Sequence, residues 1–224
     1  MDAITTQEMM GIEERAHAMG VVRLLMMENA GAGVAHHIAN KFNGRDLEGK
    51  RVLLIAGLGN NGGDAMVAAR HLTHYRTDVT VLLIGRSKDI RTEEARTNWS
   101  ILERMSRSIR LVEFDEHSMN SIRSMIMMDA DIIVDGIFGT GIKGSIREPH
   151  SSIIDAINAN KKAYKVAVDV PSGLDPDTGR YEKCVKADAT ITFHRVKRGL
   201  LISSDVCGKI IVWPIGIPPE AESG

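Results

Sequence analysis

The stretch from Val52 to Asp64, VLLIAGLGNNGGD, joins an unbroken apolar run to a glycine-rich turn. A short run of this kind, without polar alternation, is typical of a β-strand that is buried on both faces. The turn predicts a tight passage into a helix that opens at Ala65, where free backbone N–H groups meet the positive end of the helix dipole. Such a turn attracts phosphate, so the stretch predicts a phosphate-binding loop at the end of a central strand.

The turn also contains the pattern Gly57-x-Gly59-x-x-Gly62, which matches the G-x-G-x-x-G fingerprint of dinucleotide-binding loops but is a weak signal alone. Its usual companion is an acidic residue about 20 residues later that holds the ribose hydroxyls. Here the next predicted strand ends in Ile84-Gly85-Arg86-Ser87, without a carboxylate. A tight turn in which Asp64 caps the helix explains one or two of these residues, but not the adjacent Asn60 and Asn61.

Similar apolar runs recur along the chain and alternate with stretches of helical periodicity. The other predicted strands are Val79–Ile84, Ile132–Val134, Val166–Val168, Ala189–Phe193 and Ile210–Trp213. The predicted helices are a capped helix with Thr5 and Glu8 at its start, a second from Val22 to Phe42, and then Asp64–Tyr75, Thr92–Met105, His117–Met128 and Pro149–Asn158. Strands that alternate with helices predict an α/β domain with a mostly parallel sheet. We expect one domain over residues 1–217 and a C-terminal tail over 218–224.

The composition excludes several classes of protein. The 224 residues carry 28 basic and 29 acidic side chains, with only two Trp, three Tyr and four Phe, so neither a basic surface nor stacking rings for nucleic acid are expected. No apolar run approaches the roughly 18 residues that span a bilayer, and the polar N-terminus is unlike a signal peptide. We therefore expect a cytoplasmic protein without membrane contact. Cys184 and Cys207 are too few for a disulfide framework and predict buried thiols.

A second polar loop follows the predicted strand Ile132–Val134. It begins with Asp135 and continues through Gly139-Thr140-Gly141-Ile142-Lys143-Gly144-Ser145. The glycines permit a ligand to approach the backbone closely.

A third polar loop follows Val166–Val168, where Asp169 closes the strand and Ser172 lies three residues further on. In open α/β sheets the carboxyl ends of the strands form the ligand crevice, so we expect the three loops to line one site. Asp175 and Asp177 lie in a turn-like stretch, and we interpret them as turn residues.

The oxygen atoms of these loops predict a cation site. Asn61, Asp135 and Ser172 supply one carboxylate and neutral oxygens, and none of the three loops contains a thiol or an imidazole. Hard ligands of low total charge favour an alkali cation over calcium, zinc or copper. Asp169 remains as the acid or base candidate, because it can reach a ligand whose phosphates lie on the first loop. Lys197 is a fourth candidate at a strand end, although a lone lysine there is more often a solvated charge.

Five strings of residues resemble one known family. GLGNNGGDAMVAARHL, VDGIFGTGIKGSIREP, VAVDVPSGLDPDTG and ADATITFHRVKRGL occur in that order, and Met27–Gly31 resembles a further family element. Together they are similar to the YjeF N-terminal domain, the family of the NAD(P)H-hydrate epimerases. The resemblance implies a Rossmann-like three-layer αβα sandwich. It also implies an isomerase that interconverts the R and S forms of hydrated NADH or NADPH, a damaged cofactor, so that a dehydratase acting on the S form can restore it.

The resemblance implies roles for individual residues as well. The hydrated dinucleotide would bind to Asn60, Asn61, Gly62, Gly63 and Asp64, to Gly139, Thr140, Gly141, Ile142, Lys143, Gly144 and Ser145, and to Asp169. A potassium ion would bind to Asn61, Asp135 and Ser172, the same residues that the oxygen-ligand argument selects. A homodimer is implied, with the dehydratase as functional partner.

The chain departs from the family pattern at three places. Ala65 stands where the family usually has glycine, and the stretch after Gly141 lacks a common Arg-Pro pair. His150 lies where a tyrosine is usual. These departures concern ligand contacts and leave the aspartates in place.

The chemistry of the hydrate suggests how Asp169 and Lys197, the predicted catalytic residues, would act. C6 of the ring carries a hydroxyl and is bonded to the ring nitrogen, whose lone pair can expel hydroxide. The cation that remains is planar at C6, and water that returns from the other face gives the other epimer. A nearby potassium ion would keep Asp169 ionised, so we expect Asp169 to stabilise the cation while protons move through water.

Two other functions stay open at this point. The same fold occurs in scaffold proteins of RNA-decay complexes, which bind without catalysis but tend to lose the polar loop residues found here. An NAD-dependent dehydrogenase is disfavoured by the missing ribose carboxylate and by the absence of a clear hydride-transfer His or Lys pair. The sequence does not predict a preference between NADH hydrate and NADPH hydrate. Arg86 could favour a 2′-phosphate, although solvated arginines are more common.

Overall fold

A seven-stranded parallel sheet lies at the centre of the computed structural model, which describes residues 3–43, 45–115, 118–141 and 145–222. The strand order is β3-β2-β1-β4-β5-β6-β7, and every neighbouring pair is parallel. The strands are β1 Arg51–Ala56, β2 Asp78–Leu83, β3 Ile109–Glu113, β4 Ile132–Gly136, β5 Tyr164–Val168, β6 Ala189–Phe193 and β7 Lys209–Trp213. The α/β prediction is confirmed, with a sheet that is parallel throughout.

Helices cover both faces of this sheet. They are α1 Thr6–Ala18, α2 Arg23–Lys41, α3 Asn60–Leu72, α4 Glu93–Glu103, α5 Met119–Ser124, α6 His150–Ala159, α7 Arg198–Ile202 and α8 Ser204–Cys207. Along β1, Val52 and Leu54 belong to the core cluster that contains buried residues of α1 to α4. Leu53 and Ile55 belong to the cluster that contains those of α5 and α6. Because successive strand residues point to opposite faces, both faces are apolar, and the three-layer prediction is confirmed.

One strand and two helices were not predicted. The strand β3 lies at the sheet edge, and its last four residues are exposed or half-buried, so it lacks the continuous apolar run of a central strand. The helices α7 and α8 have five and four residues, which is too short for helical periodicity to show. The predicted helix His117–Met128 is α-helical only over Met119–Ser124 and continues as a π-helical turn over Met125–Asp129; His117 lies outside the described residues.

The start of α3 corrects the prediction for the first loop. The helix begins at Asn60 rather than at Ala65, with Gly59 as its N-cap residue, so Asp64 lies inside the helix and is not its cap. The glycines disfavour a helix by propensity, but close packing requires one of them here. A Cβ atom at Gly62 would lie 2.0 Å from the carbonyl oxygen of Gly57.

The N-terminal helices are α1, which begins with a capping box, and α2, which packs against α3. The predicted capping box of α1 is confirmed: Glu8 donates its backbone N–H to Thr5 Oγ1 at 3.2 Å, and Thr5 returns a bond to Glu8 Oε2 at 2.8 Å. In α2, a Cβ atom at Gly31 would lie 2.4 Å from Cβ of Val67 and 2.5 Å from the carbonyl oxygen of Asp64. A glycine at this point therefore lets α2 approach the first turns of α3.

The C-terminal segment is packed against the domain as far as the structure describes it. A short 3-10 helix, Pro219–Ala221, buries Ala221, whose carbonyl oxygen accepts a hydrogen bond from Arg15 Nε at 2.7 Å. Glu222 lies 2.7 Å from both His194 Nε2 and Arg195 Nη1. None of the helices in the described part of the chain is both long and apolar enough to span a bilayer.

Candidate active site

The predicted site residues meet at the carboxyl edge of the sheet, beside the two central strands β1 and β4. The first turn of α3 follows β1, Asp135 lies in β4, Asp169 follows β5, and Lys197 follows β6. Since β1 is flanked by β2 on one side and by β4 on the other, the chain leaves the sheet in opposite directions here. Ligands of doubly wound sheets bind at this switch point.

Asp135 and Ser172 form the centre of a buried polar network. Asp135 is 1% exposed, and Ser172 donates to it twice, from the backbone to Oδ2 at 2.8 Å and from the hydroxyl to Oδ1 at 2.6 Å. Ile137 donates its backbone N–H to Oδ1 at 3.2 Å. Burial raises the pKa of Asp135 to about 6, and the hydrogen bonds from Ser172 and Ile137 oppose this rise. The carboxylate therefore sits among neutral donors.

The carbonyl oxygen of Phe138 links this network to the first loop. It accepts a hydrogen bond from Asn61 Nδ2 at 3.0 Å and lies 3.2 Å from Ser172 Oγ. Phe138 in turn donates its backbone N–H to Ser172 Oγ at 2.9 Å. The structure thus brings Asn61, Asp135 and Ser172 together as predicted. It also adds Phe138 to the network. The sequence did not reveal this residue, because it takes part through its backbone carbonyl oxygen, which every residue type has.

This donor set suits a monovalent cation. One buried carboxylate and several neutral oxygens carry a single negative charge, which is low for calcium. Thiol and imidazole ligands, which zinc and copper prefer, do not belong to this donor set. The residues present therefore fit the predicted potassium ion.

The second loop contributes through Gly139, where a Cβ atom would lie 3.1 Å from Asn61 Oδ1. Glycine here leaves the amide oxygen of Asn61 accessible on that side. Thr140 is half-buried, and Gly141 and Ser145 are exposed beside the crevice. Ile142, Lys143 and Gly144, which were predicted to bind substrate, lie outside the described residues.

Asp169 and Lys197 form a buried ion pair. Nζ of Lys197 lies 2.5 Å from Oδ1 of Asp169, and the lysine is only 1% exposed. The same Oδ1 accepts hydrogen bonds from Thr192 Oγ1 at 3.1 Å and from the backbone N–H of Phe193 at 3.2 Å. All of these donors use Oδ1, so among the described residues Oδ2 stays available to a ligand. The expectation that a lone lysine is a solvated charge is wrong here, because the fold places Asp169 beside it.

The backbone at Asp169 is held in a rare conformation, with φ at +63°. Residues with a side chain seldom adopt positive φ, which costs about 1 kcal/mol or more. A hydrogen bond from its N–H to the carbonyl oxygen of Ile191, at 2.8 Å, holds the residue against β6. Strain of this kind is common at functional sites, and the carboxylate of this residue is the one that pairs with Lys197.

Asp64 is a further buried carboxyl group beside the crevice, and its pKa is shifted. It is 8% exposed, and its carboxyl makes no hydrogen bond to any residue in the described ranges. Burial raises its pKa well above the ordinary value, and the negative charges of Asp169 and Glu13 raise it further, while Lys197 opposes them. These surroundings favour the protonated form of the Asp64 carboxyl more than in an ordinary aspartate.

Sequence reasoning missed Glu13 of α1. Burial, together with the charge of Asp169, raises its pKa, whereas Lys197 and Arg23 lower it. A glutamate in the second turn of an amphipathic helix looks like an ordinary solvated charge, and no local signal distinguishes it. Only the packing of α1 over the crevice brings Glu13 close to the charges of Asp64 and Asp169.

The turn residues behave as predicted. Asp175 Oδ1 accepts backbone hydrogen bonds from Asp177 at 2.9 Å and from Thr178 at 2.8 Å. Asp177 accepts bonds from the backbone N–H and the hydroxyl of Thr6, both at 2.7 Å, and so anchors the start of α1. Cys184 and Cys207 are buried as predicted, and burial raises both thiol pKa values to about 12.

Comparison with known protein families shows to which family this chain belongs. The family described as YjeF-related protein N-terminus matches residues 23–199, most of the chain. The chain belongs to this family. Curated relatives include the NAD(P)H-hydrate epimerase of Cenarchaeum symbiosum, 52% identical, and that of Nitrosopumilus maritimus, 46% identical, each over 99% of this chain and 98% of the relative.

Other relatives are longer, and this chain matches only one part of each. The bifunctional NAD(P)H-hydrate repair enzyme Nnr of Archaeoglobus fulgidus is 42% identical over all of this chain, which covers 43% of that enzyme. Among solved structures, yeast ynu0 (YNL200c) superimposes with a TM-score of 0.77 at 26% identity, over 96% of this chain and 88% of the yeast chain. The YjeF N-terminal family and its Rossmann-like fold, both expected from the sequence, are confirmed.

Proposed function

We propose that this chain interconverts the R and S epimers of hydrated NADH and NADPH. Full-length relatives of the same family are NAD(P)H-hydrate epimerases at 52% and 46% identity. The observation that carries the proposal is the buried pair of Asp169 and Lys197 at the ligand crevice. Buried ion pairs contribute little net stability compared with apolar packing, so such a pair beside a cleft indicates catalysis rather than structure.

A potassium ion is part of this proposal. Asn61, Asp135, Ser172 and the carbonyl oxygen of Phe138 would hold it, because their oxygens surround one uncompensated carboxylate. When bound, the ion would balance the charge of Asp135 and fix the three loops relative to one another. The homodimer, the cytoplasmic location and the dehydratase partner stay proposals that rest on the family.

The reaction breaks the bond between C6 and its hydroxyl oxygen. The electron pair leaves with the oxygen, and the lone pair of the ring nitrogen forms a double bond to C6. The cation is planar, so water can add to the other face. Asp169, whose Oδ1 is bound by Lys197, presents a negative oxygen that stabilises this cation more than the neutral hydrate.

Asp64 is the proposed proton donor. Its protonated carboxyl gives a proton to the departing hydroxyl, which leaves as water. The water that adds to the opposite face then releases one proton to solvent, and the Asp64 carboxylate takes one up again. No proton is gained or lost over the cycle, as an epimerisation requires. This division of roles assigns acid catalysis to Asp64 and charge stabilisation to Asp169.

Turnover of purified epimers tests the proposal. Each epimer of NADH hydrate is incubated with the protein, and both forms are followed by chromatography against a sample without protein. We expect the same final mixture from either side, no conversion by Asp169→Asn, and normal conversion by Asp131→Asn, which changes an aspartate at the opposite edge of the sheet.

Other outcomes would identify another function. Binding of both epimers without conversion would favour the non-catalytic scaffold. Formation of reduced nicotinamide from NAD and an alcohol, seen as a change in absorbance, would favour a dehydrogenase.

A further inference from the structure

A second cleft opens on the far side of the crevice, where β2 and β3 end. It has a volume of about 540 Å³, and its lining includes Arg86, Asp89, Asp115 and His150. None of these residues belongs to the network around Asp135 or to the Asp169 pair. The cleft is therefore a distinct part of the molecule, and its chemistry can be considered separately.

The cleft is continuous with the first glycine-rich loop. Arg91 donates its backbone N–H to the carbonyl oxygen of Leu58 at 2.8 Å. Gly85, with φ at +136°, packs so closely under Leu58 that a Cβ atom there would lie 2.9 Å from Cδ1 of that side chain. A ligand whose phosphates lie at the start of α3 can thus extend over Leu58 into the cleft.

The order of the strands sets the direction of a bound dinucleotide. The reacting groups Asp169 and Lys197 follow β5 and β6, whereas the cleft lies at β2 and β3, with β4 and β1 between them. Strands are about 4.8 Å apart, so β5 and β2 are separated by about 14 Å. An extended dinucleotide covers such a distance. If its nicotinamide end lies at Asp169 and its phosphates lie at Asn60, its other end must lie in the cleft.

The cleft offers a flat ring surface on one side. The rings of His150 and Phe138 are 4.7 Å apart at an angle of 34°. Burial and the positive charge of Arg91 lower the pKa of His150, so its imidazole is neutral at physiological pH. A neutral ring of this kind can stack against a purine base.

The charges of the cleft discriminate against a further phosphate. Arg86 is already engaged, with Nη2 3.2 Å from Asp115 Oδ2 and Nη1 3.9 Å from Glu113 Oε2. Asp89 and Asp115 are the two carboxylates of the lining, and Arg86 and the nearby Arg91 are the cations close to them. A 2′-phosphate brings a charge of about −2 and would meet the carboxylates of Asp89 and Asp115, with that of Glu113 behind Arg86, whereas a ribose diol can donate hydrogen bonds to the lining carboxylates.

We propose that this cleft binds the adenosine end of the substrate and that its carboxylates select the unphosphorylated ribose of NADH hydrate over that of NADPH hydrate. The inference rests on the proposed function for the identity of the dinucleotide. His150 stacks on the adenine, and Glu113 and Asp115 keep Arg86 from acting as a 2′-phosphate ligand. Arg86 is therefore a residue that influences the choice between the two hydrates, and its ion pairs with Glu113 and Asp115 keep it from binding a 2′-phosphate.

Fragment binding tests the cleft without any turnover. Adenosine 5′-monophosphate and adenosine 2′,5′-bisphosphate are titrated into isotope-labelled protein, and dissociation constants and shifted NMR signals are recorded. We expect the monophosphate to bind about tenfold more tightly, with shifts at Gly85, Asp115 and His150. His150→Ala should weaken both fragments. Glu113→Gln/Asp115→Asn, which releases Arg86, should reverse the preference.

The matched control is Asp131→Asn. It breaks a comparable exposed ion pair, that of Arg51 and Asp131 at 3.4 Å, at the opposite edge of the sheet, and should leave both dissociation constants unchanged. Tighter binding of the bisphosphate by the unaltered protein, or shifts confined to residues away from the cleft, would overturn the inference. Absence of epimerisation alongside the expected fragment pattern would instead refute the proposed function and leave the cleft assignment in place.

Discussion

The ammonium nitrogen of Lys197 lies 2.5 Å from Oδ1 of Asp169, and the two residues come from loops that follow different strands. Lys197 also donates to the carbonyl oxygen of Phe193 at 3.0 Å and to Thr192 Oγ1 at 3.2 Å. The lysine thus ties the end of β6 to the end of β5. Its ammonium group orients the carboxylate that faces the ligand, and without it that carboxylate would be a buried charge with no cation beside it.

Replacement of Lys197, alone and together with Asp169, should separate the effect of the pair on stability from its effect on activity. In Lys197→Met, Asp169 becomes a buried carboxylate without its cation, and we expect the free energy of unfolding to fall by about 3 kcal/mol. The double variant Asp169→Asn/Lys197→Met should regain most of that stability while epimerisation stays at least about 100-fold below normal. Urea unfolding and chromatographic turnover measure the two effects.

Lys183→Met is the matched control, because it removes a partly exposed lysine that pairs with Asp155 at 2.6 Å. We expect a change below about 1 kcal/mol and normal turnover. Equal losses of stability in both lysine variants would contradict a special role for the buried pair.

The pH dependence of turnover should report on Asp64. As a proton donor it must be protonated, so turnover should decline as the pH rises through its raised pKa. Asp64→Asn cannot donate a proton and should be about 100-fold slower with a flat profile in this range.

Glu13→Gln provides a sharper version of the same test. The negative charge of Glu13 helps to raise the pKa of Asp64. Removal of this charge should therefore lower the pKa of Asp64, so that turnover declines at a lower pH. Glu14→Gln changes the exposed neighbour and should leave the profile in place. An unchanged profile in Glu13→Gln would show that Asp64 does not control the reaction.

Potassium should stabilise the fold through Asp135. We expect a higher Tm in potassium chloride than in tetramethylammonium chloride at the same ionic strength, because only the smaller ion can enter an oxygen-lined site. Asp135→Asn should abolish this difference. A similar Tm in both salts for the unaltered protein would argue against the site.

Without potassium, Asp135 should make stability fall as pH rises. Its folded pKa of about 6 lies above the ordinary value of 3.8, so the folded state binds more protons between these values. The free energy of unfolding therefore decreases from about pH 4 to pH 6, by up to about 3 kcal/mol from this group. Urea unfolding in tetramethylammonium buffers should show a steeper decrease for the unaltered protein than for Asp135→Asn; parallel curves would contradict this.

Two glycine substitutions should have opposite effects. Gly31→Ala places a methyl group 2.5 Å from the carbonyl oxygen of Asp64, so it must displace α3 and should cost about 2 kcal/mol as well as turnover. Gly11→Ala in α1 meets only the flexible end of Arg15 at 3.4 Å and should stabilise the protein by about 0.5 kcal/mol. Thermal unfolding of the two variants checks the signs, and stabilisation by Gly31→Ala would contradict the packing argument.

Much of the architecture was accessible from local patterns. The apolar run at Val52 predicted the central strand, and the Thr5 and Glu8 capping box predicted the start of α1, because strand burial and helix capping depend on a few neighbouring residues. The start of α3 was misplaced, since Gly62 and Gly63 serve close packing inside the helix rather than a turn before it. The edge strand β3 escaped detection because its partial exposure weakens the apolar signal.

The candidate site likewise has some features that the sequence predicted and others that only the structure showed. Asn61, Asp135, Asp169 and Ser172 were found from the linear chain, because each lies at or shortly after the carboxyl end of an apolar strand, and parallel strands end at one edge. The burial of Lys197, the influence of Glu13 on Asp64 and the restraint of Arg86 by Glu113 and Asp115 emerged only in three dimensions. Burial and charge interactions depend on distances between side chains that are remote in the chain, and those distances exist only once the sheet and its helices have packed.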